Sequence, residues 1–232
     1  MIWLWLACAG DTAPGVMDVD PVATDGGHSA SVWVQGNSAF LEGAEVCREA
    51  SCEQVGEDGF AHLGGLPSGP VAIRVDHPGN QSLLIPLDLN NNWVARWAAR
   101  SLSDWVYEDW LGAGTWEAGT GMVSVFAGDL SSDGGQTLAG VELEVLIDGE
   151  AAGEAYVIDH FTAGVPGHVT TDESLVWFIN LPPGEVTLAW TVPEGWCNAR
   201  SMGWEAQADS VVVPVEADRE TSVQIQCVAP DY

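Results

Sequence analysis

Two stretches, LEGAEV at residues 41–46 and LAGVEL at residues 138–143, are versions of the same sequence. A second pair follows them at similar places, GLPSGPVAIRV at 65–75 and NLPPGEVTLAW at 180–190. Self-similarity of this kind indicates that one structural unit occurs twice in the chain. We therefore expect two copies of a single kind of domain.

The sequence around these landmarks is typical of short β-strands. The runs SVWVQG at 31–36 and MVSVFAG at 122–128 alternate along the chain, and 27 Gly and 12 Pro residues supply turn positions. Short alternating runs separated by Gly and Pro predict an all-β sandwich or barrel. A chain of 232 residues is long enough for two small domains that each bury a core.

The repeated pieces resemble the carboxypeptidase regulatory-like family, whose domains are prealbumin-like (Ig-like) β-sandwiches. The resemblance implies an all-β fold and non-catalytic accessory modules, and it says little about chemistry. The second copy departs from the pattern, because Thr171-Asp172-Glu173-Ser174 stands where an Asp-Gly turn would precede its aromatic strand. The matching segments are 43–46, 57–60 and 66–69 in the first copy, and 140–143 and 181–184 in the second.

The spacing of the landmarks predicts the domain organisation. We expect one sandwich over residues 29–91 and a second over 118–232, in tandem, with a linker at 92–117. The distance from Leu41 to Leu66 in the first copy is 25 residues, whereas the matching distance in the second copy, from Leu138 to Leu181, is 43. This difference predicts an insertion at about 144–170, and its Gly-rich sequence indicates a peripheral hairpin or loop.

The linker is rich in Trp and carries a helical pattern. Hydrophobic residues recur at helical spacing between a capping Ser101 and Gly112, which predicts a short amphipathic helix. Two interpretations stay open: the indoles pack the helix onto a sandwich, or they form an exposed platform for a glycan or peptide. The Trp residues concerned are Trp93, Trp97, Trp105, Trp110 and Trp116.

Four of the five cysteines suggest two disulfides. In VCREASC, Cys47 and Cys52 stand at two strand ends joined by a short turn, which brings their Cβ atoms within bridging distance. Cys227 ends the alternating run TSVQIQC, and a bond to Cys197 would tie this last strand to its neighbour. The alternatives are buried free thiols, or half of a zinc site that lacks a second ligand pair. Disulfides place a protein in an oxidising compartment.

The N-terminal residues 1–28 resemble a bacterial lipoprotein signal, to about residue 7, followed by a disordered acidic tether. The apolar run MIWLWLA ends at Cys8, and the lipobox would be Trp5-Leu6-Ala7-Cys8. Trp replaces the usual Leu at its first position, and no Arg or Lys precedes the run. The resemblance implies lipidation of Cys8 and an envelope location at the outer membrane, or otherwise secretion.

The charge of the chain excludes several partners. There are 34 acidic residues against 6 basic ones, all Arg, and the net charge is −28. Such a surface repels nucleic acids and anionic lipid headgroups. The absence of Lys excludes the Lys–Asn isopeptide bond of some related β-sandwich domains.

The sequence offers no convincing catalytic or metal-binding group. Ser29 stands beside His28 at the border of the predicted tether, and no nucleophile elbow is present. His160 and His168 fall in the insertion, where solvated loop histidines are expected. The residues Asp129 and Asp133 resemble a calcium loop but lack EF-hand spacing, so we expect no cofactor apart from this weak calcium candidate.

These observations predict a non-catalytic, lipid-anchored envelope protein whose β-sandwiches serve adhesion, scaffolding, or the binding of an envelope protein or glycan. The alternative is a carbohydrate-binding or enzyme-associated module that uses exposed Trp side chains. Coplanar exposed indoles would favour that alternative, and buried indoles the structural one. A third interpretation is a hydrolase with a pocket in the insertion.

Overall fold

A computed structural model describes residues 28–36, 40–89, 94–100, 114–129, 136–159, 163–172, 174–199 and 202–229, with the backbone alone for 94–100. These residues form seventeen β-strands and no helix, so the described chain is all-β. A helix able to span a membrane is likewise not found among them. The helix expected after Ser101 lies outside the described residues, as do Cys8 and the rest of the predicted tether up to residue 27.

The seventeen strands are numbered along the chain. In chain order they are β1 (His28–Gln35), β2 (Glu45–Arg48), β3 (Ser51–Gln54), β4 (Phe60–Leu66), β5 (Gly69–Asp76), β6 (Leu83–Leu89), β7 (Val94–Arg100), β8 (Gly121–Asp129), β9 (Glu142–Ile147), β10 (Glu150–Ala151), β11 (Glu154–Asp159), β12 (Val165–Pro166), β13 (Ser174–Leu181), β14 (Gly184–Thr191), β15 (Trp196–Asn198), β16 (Ser210–Val215) and β17 (Glu220–Val228).

The two halves of the chain share one strand order. In the first half, one sheet has the order β4-β1-β7 and the other contains β3-β2-β5-β6. In the second half, the corresponding orders are β13-β8-β17 and β10-β9-β14-β16. In both halves the first and the last of these strands pair in parallel, β1 with β7 and β8 with β17. The sequence repeat is therefore also a repeat of topology.

Alternating burial explains why these segments form strands. In β1, the side chains of Ala30, Val32 and Val34 are buried, whereas the residues between them face outward and are partly exposed. Successive side chains of a strand point to opposite faces, so a period of two buries one face. Strand β8 is buried on both faces along most of its length, which fits its nearly continuous apolar sequence.

Residues 94–100, which the sequence places in the linker, form strand β7 instead of an irregular connection. The strand pairs with β1 over seven residues, from Ser29 opposite Val94 to Gln35 opposite Arg100. His28 and Ser29, at the expected tether border, are the first residues of β1, and His28 is buried. The first sheet therefore begins earlier and recruits more of the chain than the sequence indicated.

The insertion in the second half contributes to the core and is not merely peripheral. Strand β11 adds to the edge of β13 over six residue pairs, and β12 pairs with β11. Tyr156 and Ile158 of β11 are buried together with Trp177 and Ile179 of β13. Replacing β11 with a Gly/Ser loop would remove these side chains from a packed cluster, so we expect the second half to lose stability.

The two halves join into one continuous sheet. At the N-terminal end of β17, Glu220 and Thr221 pair in parallel with Leu83 and Leu84 of β6, which links the sheets of the two halves. The Glu220 N–H donates to the carbonyl of Ser82 at 3.0 Å. One cluster of buried apolar side chains runs through both halves. The tandem arrangement is thus more closely packed than two domains on a linker.

Two arginines fix this junction with paired hydrogen bonds. Arg74 of β5 donates from Nε and Nη2 to the two carboxylate oxygens of Glu216, at 2.9 and 2.6 Å. Arg219 donates in the opposite direction, to Asp76, at 2.8 and 3.2 Å. Its Nε also lies 3.3 Å from Glu216, so the four side chains form one network. Bidentate arginine–carboxylate pairs set relative orientation as well as adding energy.

Asp76 accepts hydrogen bonds from Arg219 and Ser82 at this junction. Burial acts to raise the pKa of Asp76, but hydrogen bonds from Arg219 and Ser82 and the nearby positive charges lower it below its usual value. The Ser82 hydroxyl donates to Asp76 at 2.6 Å. The ionised form is therefore the one that the folded junction stabilises.

Candidate binding face

The outer surface of the β4-β1-β7 sheet carries a group of aromatic side chains, which we call the aromatic face. The alternation that buries Val32 turns Ser31 and Trp33 outward. Opposite them on β4 stand His62 and Phe60 respectively. Phe40, which forms an isolated β-bridge with Gln35, packs against Trp33 at the side of this group. The aromatic face thus consists of Ser31, Trp33, Phe40, Phe60 and His62.

The rings of the aromatic face contact one another in defined geometries. Trp33 and Phe40 pack edge to face, with centroids 5.6 Å apart and an interplanar angle of 61°. Phe60 and His62 are stacked at 5.9 Å with an angle of 10°. Phe40 is 46% exposed although it contacts Trp33. Exposed, mutually packed aromatic rings offer a large contact area with little loss of side-chain entropy on binding.

Gly59 permits this packing. Its φ of +82° is a left-handed conformation that favours glycine, and it follows Asp58 in the turn before β4. A Cβ at this position would lie 2.7 Å from Cδ1 of Phe40 and 3.0 Å from Nε1 of Trp33. Any side chain here would therefore displace both rings.

A Ser, a His and an Asp also stand in line on this face. Ser31 Oγ lies 2.9 Å from His62 Nδ1, and His62 Nε2 lies 3.9 Å from Asp58 Oδ2. Asp58 accepts a hydrogen bond from the Phe60 N–H within its own turn, and its side chain is 63% exposed. At 3.9 Å Asp58 is too far from His62 for a hydrogen bond, so it does not orient the imidazole as the carboxylate of a catalytic triad would. The arrangement fits hydrogen bonding to a ligand better than nucleophilic catalysis.

The Trp side chains described by the structure do not form a row of exposed indoles. Trp177 and Trp190 are buried, and Trp33 and Trp204 are partly buried. Trp196, beside the disulfide at Cys197, is 52% exposed. Trp196 thus stands on a different strand from Trp33, at the end of the second half.

The structure describes few of the Trp residues that were expected to form the platform. Trp116 is partly buried against the cluster of Met122 and Trp177, and its indole N–H donates to the Thr120 carbonyl at 3.3 Å. Trp97 lies within β7. Trp93, Trp105 and Trp110 lie outside the described residues. The environment of Trp116 fits the packing interpretation of this residue.

Both expected disulfides are confirmed. Cys47 and Cys52 stand opposite each other in the antiparallel pair of β2 and β3, and Cys197 and Cys227 in that of β15 and β17. The hairpin therefore carries a small ring, whereas the second bond closes a loop with a sequence separation of 30. Cys8 lies outside the described residues, so its lipidation stays a prediction.

The remaining candidates form no centre in the described part of the chain. His168 Nε2 lies 3.2 Å from a carboxylate oxygen of Glu142, and both side chains are about half exposed. Asp129 ends β8, while Asp133 and His160 are outside the described residues. No group of three or more His, Cys, Asp or Glu side chains suited to a metal ion occurs among the described residues.

An open groove of about 460 Å³ lies near the junction, beside Glu45, Asp76 and His77. Asp76 is already engaged by Arg219 and Ser82 there. The groove is also far along the chain from the insertion, where a hydrolase pocket would have been expected. It therefore adds no support to a hydrolytic function.

No family model matches the sequence, and no curated protein matches it. Solved structures that resemble the chain include the minor pilin of Streptococcus agalactiae, with 12% identity, coverage of 88% of this chain and 97% of that one, and a TM-score of 0.35. The major pilin subunit of Bacillus cereus has 9% identity, covers 88% and 99% of the two chains, and gives a TM-score of 0.31.

The Bacillus anthracis TIE protein is another such structure, with 14% identity and a TM-score of 0.28. The match covers 87% of this chain and 34% of the TIE protein, so the chain spans about a third of that structure's length. A resemblance at these TM-scores does not indicate what the chain binds. The fold rests on the strand order, and the candidate site rests on its own geometry.

Sequence reasoning missed the aromatic face. Trp33 is one of the outward positions of the alternating run at 31–36, and Phe60 follows the Asp58-Gly59 turn, so the pattern contained a signal. The cross-strand register that places Trp33 opposite Phe60 was not available from local sequence. Trp residues are densest after residue 92, so the sequence pattern favoured the linker as the site of an aromatic platform.

Proposed function

We propose that the chain is a non-catalytic extracytoplasmic scaffold that binds a partner through the aromatic face. The exposed Phe40, packed against Trp33 and flanked by Phe60, carries this proposal. Partner-binding surfaces concentrate their energy in aromatic anchors surrounded by polar groups. Ser31 and His62 supply such polar groups beside the rings.

Exposed apolar side chains elsewhere lack this combination. The other large exposed hydrophobic residues among those described are Val165, Val169 and Trp196. No aromatic contact is described for Trp196, and the two valines stand in or near the short strand β12. Trp196 therefore offers a matched control, because it is an exposed aromatic residue outside the proposed face.

The test compares two variants in a binding screen. Wild type, Trp33→Ala/Phe40→Ala and Trp196→Ala are each applied to a glycan array and to immobilised surface-protein extract. We expect the double substitution to lose binding by a factor of about ten or more, as for hot-spot residues, while Trp196→Ala binds like wild type. Equal binding by all three proteins would contradict the assignment of the face.

A second candidate function is carbohydrate binding at the same face. The flat rings of Phe60 and His62 with an adjacent Ser31 hydroxyl favour it, since sugars combine an apolar ring face with many hydroxyl groups. Signal on the glycan array that free monosaccharide competes away would select this function. Capture from the protein extract that is insensitive to sugar would select a protein partner.

The proposal includes an envelope location and two sandwich domains. Two disulfides support an oxidising compartment, and the repeated strand order supports two sandwiches.

We further propose that Cys8 carries a lipid anchor. A clickable fatty acid should then label wild type and leave Cys8→Ser unlabelled. Equal labelling would refute the anchor while leaving the binding proposal intact.

A further inference from the structure

In each half, the first strand of the repeated topology pairs in parallel with the last strand. Strand β8 pairs with β17 over eight residues, from Met122 opposite Glu220 to Asp129 opposite Cys227. The chain thus enters the second half at one end of this ladder and leaves it at the other end. Strand β1 and strand β7 repeat this arrangement over seven residues in the first half.

This geometry determines how strongly the fold resists a pulling force. When tension is applied along the chain, two parallel strands are drawn past each other lengthwise. Their evenly spaced hydrogen bonds run between the two strands and are all loaded at the same time, so the ladder must yield as a unit. If two strands are instead pulled from the same end, their bonds open one after another.

We propose that these parallel pairs act as mechanical clamps that make the chain resist tension between its two ends. The property is separate from the proposed binding function, because it depends on topology and needs no ligand. Adhesion through the aromatic face is one setting in which such resistance would be used. A variant that loses binding should therefore keep its mechanical resistance.

The clamp of the second half is reinforced on its other side. Strand β17 contacts β6 at Glu220 and Thr221, and near its other end it pairs with β15. The disulfide between Cys197 and Cys227 adds a covalent tie at the end of β17, where tension from the C-terminal side would enter. Val223 and Ile225 are buried, so sliding this strand would also expose core side chains.

The clamp of the first half has less support in the described residues. Strand β7 ends its sheet, and β1 is its one strand partner there. The disulfide of this half joins β2 to β3, on strands that the clamp does not include. The first half should therefore yield at a lower force than the second.

Force spectroscopy on the full oxidised chain tests the proposal with a change of pulling direction. Handles at residues 118 and 229 load β8 and β17 lengthwise, whereas handles at 129 and 229 pull the same two strands from one end. We expect the lengthwise geometry to need about twofold more force or greater at the same loading rate, because its bonds share the load. Equal forces in the two geometries would overturn the proposal.

Both handle variants should first be shown to melt at the temperature of wild type. If a handle at Asp129 disturbs folding, the exposed Gln136, whose carbonyl accepts from the Asp129 N–H at 2.7 Å, is the substitute position. The lengthwise pull should again need more force than the pull from one end. A lengthwise force no higher than the one-ended force at this position would again overturn the proposal.

Discussion

The two halves of this molecule have the same strand order but hold their last strands differently. In the described residues, β7 of the first half pairs with β1, whereas β17 of the second half lies between β8 on one side and β6 and β15 on the other. The additional partner β15 belongs to the second half alone, and β6 is provided by the first half. A duplicated fold thus acquires a more tightly held copy through a short added strand and through contact with its neighbour.

The largest expected difference between the halves concerns their disulfides. Because Cys197–Cys227 closes a loop of 30 residues, its removal by Ser substitution should lower the free energy of unfolding by about 3.5 kcal/mol. The matched change at Cys47–Cys52, with a separation of 5, should cost about 2 kcal/mol. Urea unfolding followed by circular dichroism measures both. A larger loss for the hairpin disulfide would reverse the comparison.

The insertion provides the next test, because it occurs in the second half alone. Ile158→Ala should lower the free energy of unfolding by about 3 kcal/mol, since it leaves a cavity in a buried cluster. Val165→Ala, in the same insertion but 63% exposed, should change it by less than about 0.5 kcal/mol. Similar small effects of both substitutions would show that β11 is peripheral after all.

The junction should give a smaller effect that depends on pH. Asp76→Asn should lower the free energy of unfolding at pH 7 by about 1 kcal/mol, because the carboxylate is partly exposed. The pKa of Asp76 is lowered in the folded protein, so its contribution is complete above an unfolded-state pKa of about 4 and is lost as the pH falls through the folded value.

Thermal melts of wild type and Asp76→Asn at several pH values measure this dependence, with Glu53→Gln as control because Glu53 is exposed on β3. The gap in melting temperature between wild type and Asp76→Asn should narrow below pH 4. A gap that stays constant from pH 7 to pH 3, or a Glu53→Gln effect of the same size, would contradict the role of the junction.

Local sequence patterns predicted the features of the fold that depend on residues close together in the sequence. The landmark repeats and alternating runs indicated an all-β duplicated fold, and the turn in VCREASC indicated the hairpin disulfide. Both features follow from spacing within a few residues, which sets the face of a strand and the reach of a turn. The insertion was also predicted, although its role in the core was not.

The elements that sequence reasoning missed depend on distant pairing. Strand β7 contains Ala and Arg at most positions, and Ala is depleted in strands, so no local pattern marks this segment as one. Its strand conformation comes from pairing with β1, about 65 residues earlier in the sequence. The junction bond between Arg74 and Glu216 spans 142 residues, and no local pattern marks it.

Hydrogen exchange tests the central comparison most directly, because it reports how firmly each last strand is held. The full oxidised chain is exchanged under native conditions, and peptides covering 220–228 and 94–100 are followed by mass spectrometry. We expect the amides of β17 to exchange at least about tenfold more slowly than those of β7, since β17 pairs with β8 along its length and with β6 and β15 near its two ends. Equal protection of the two strands, or stronger protection of β7, would contradict the account.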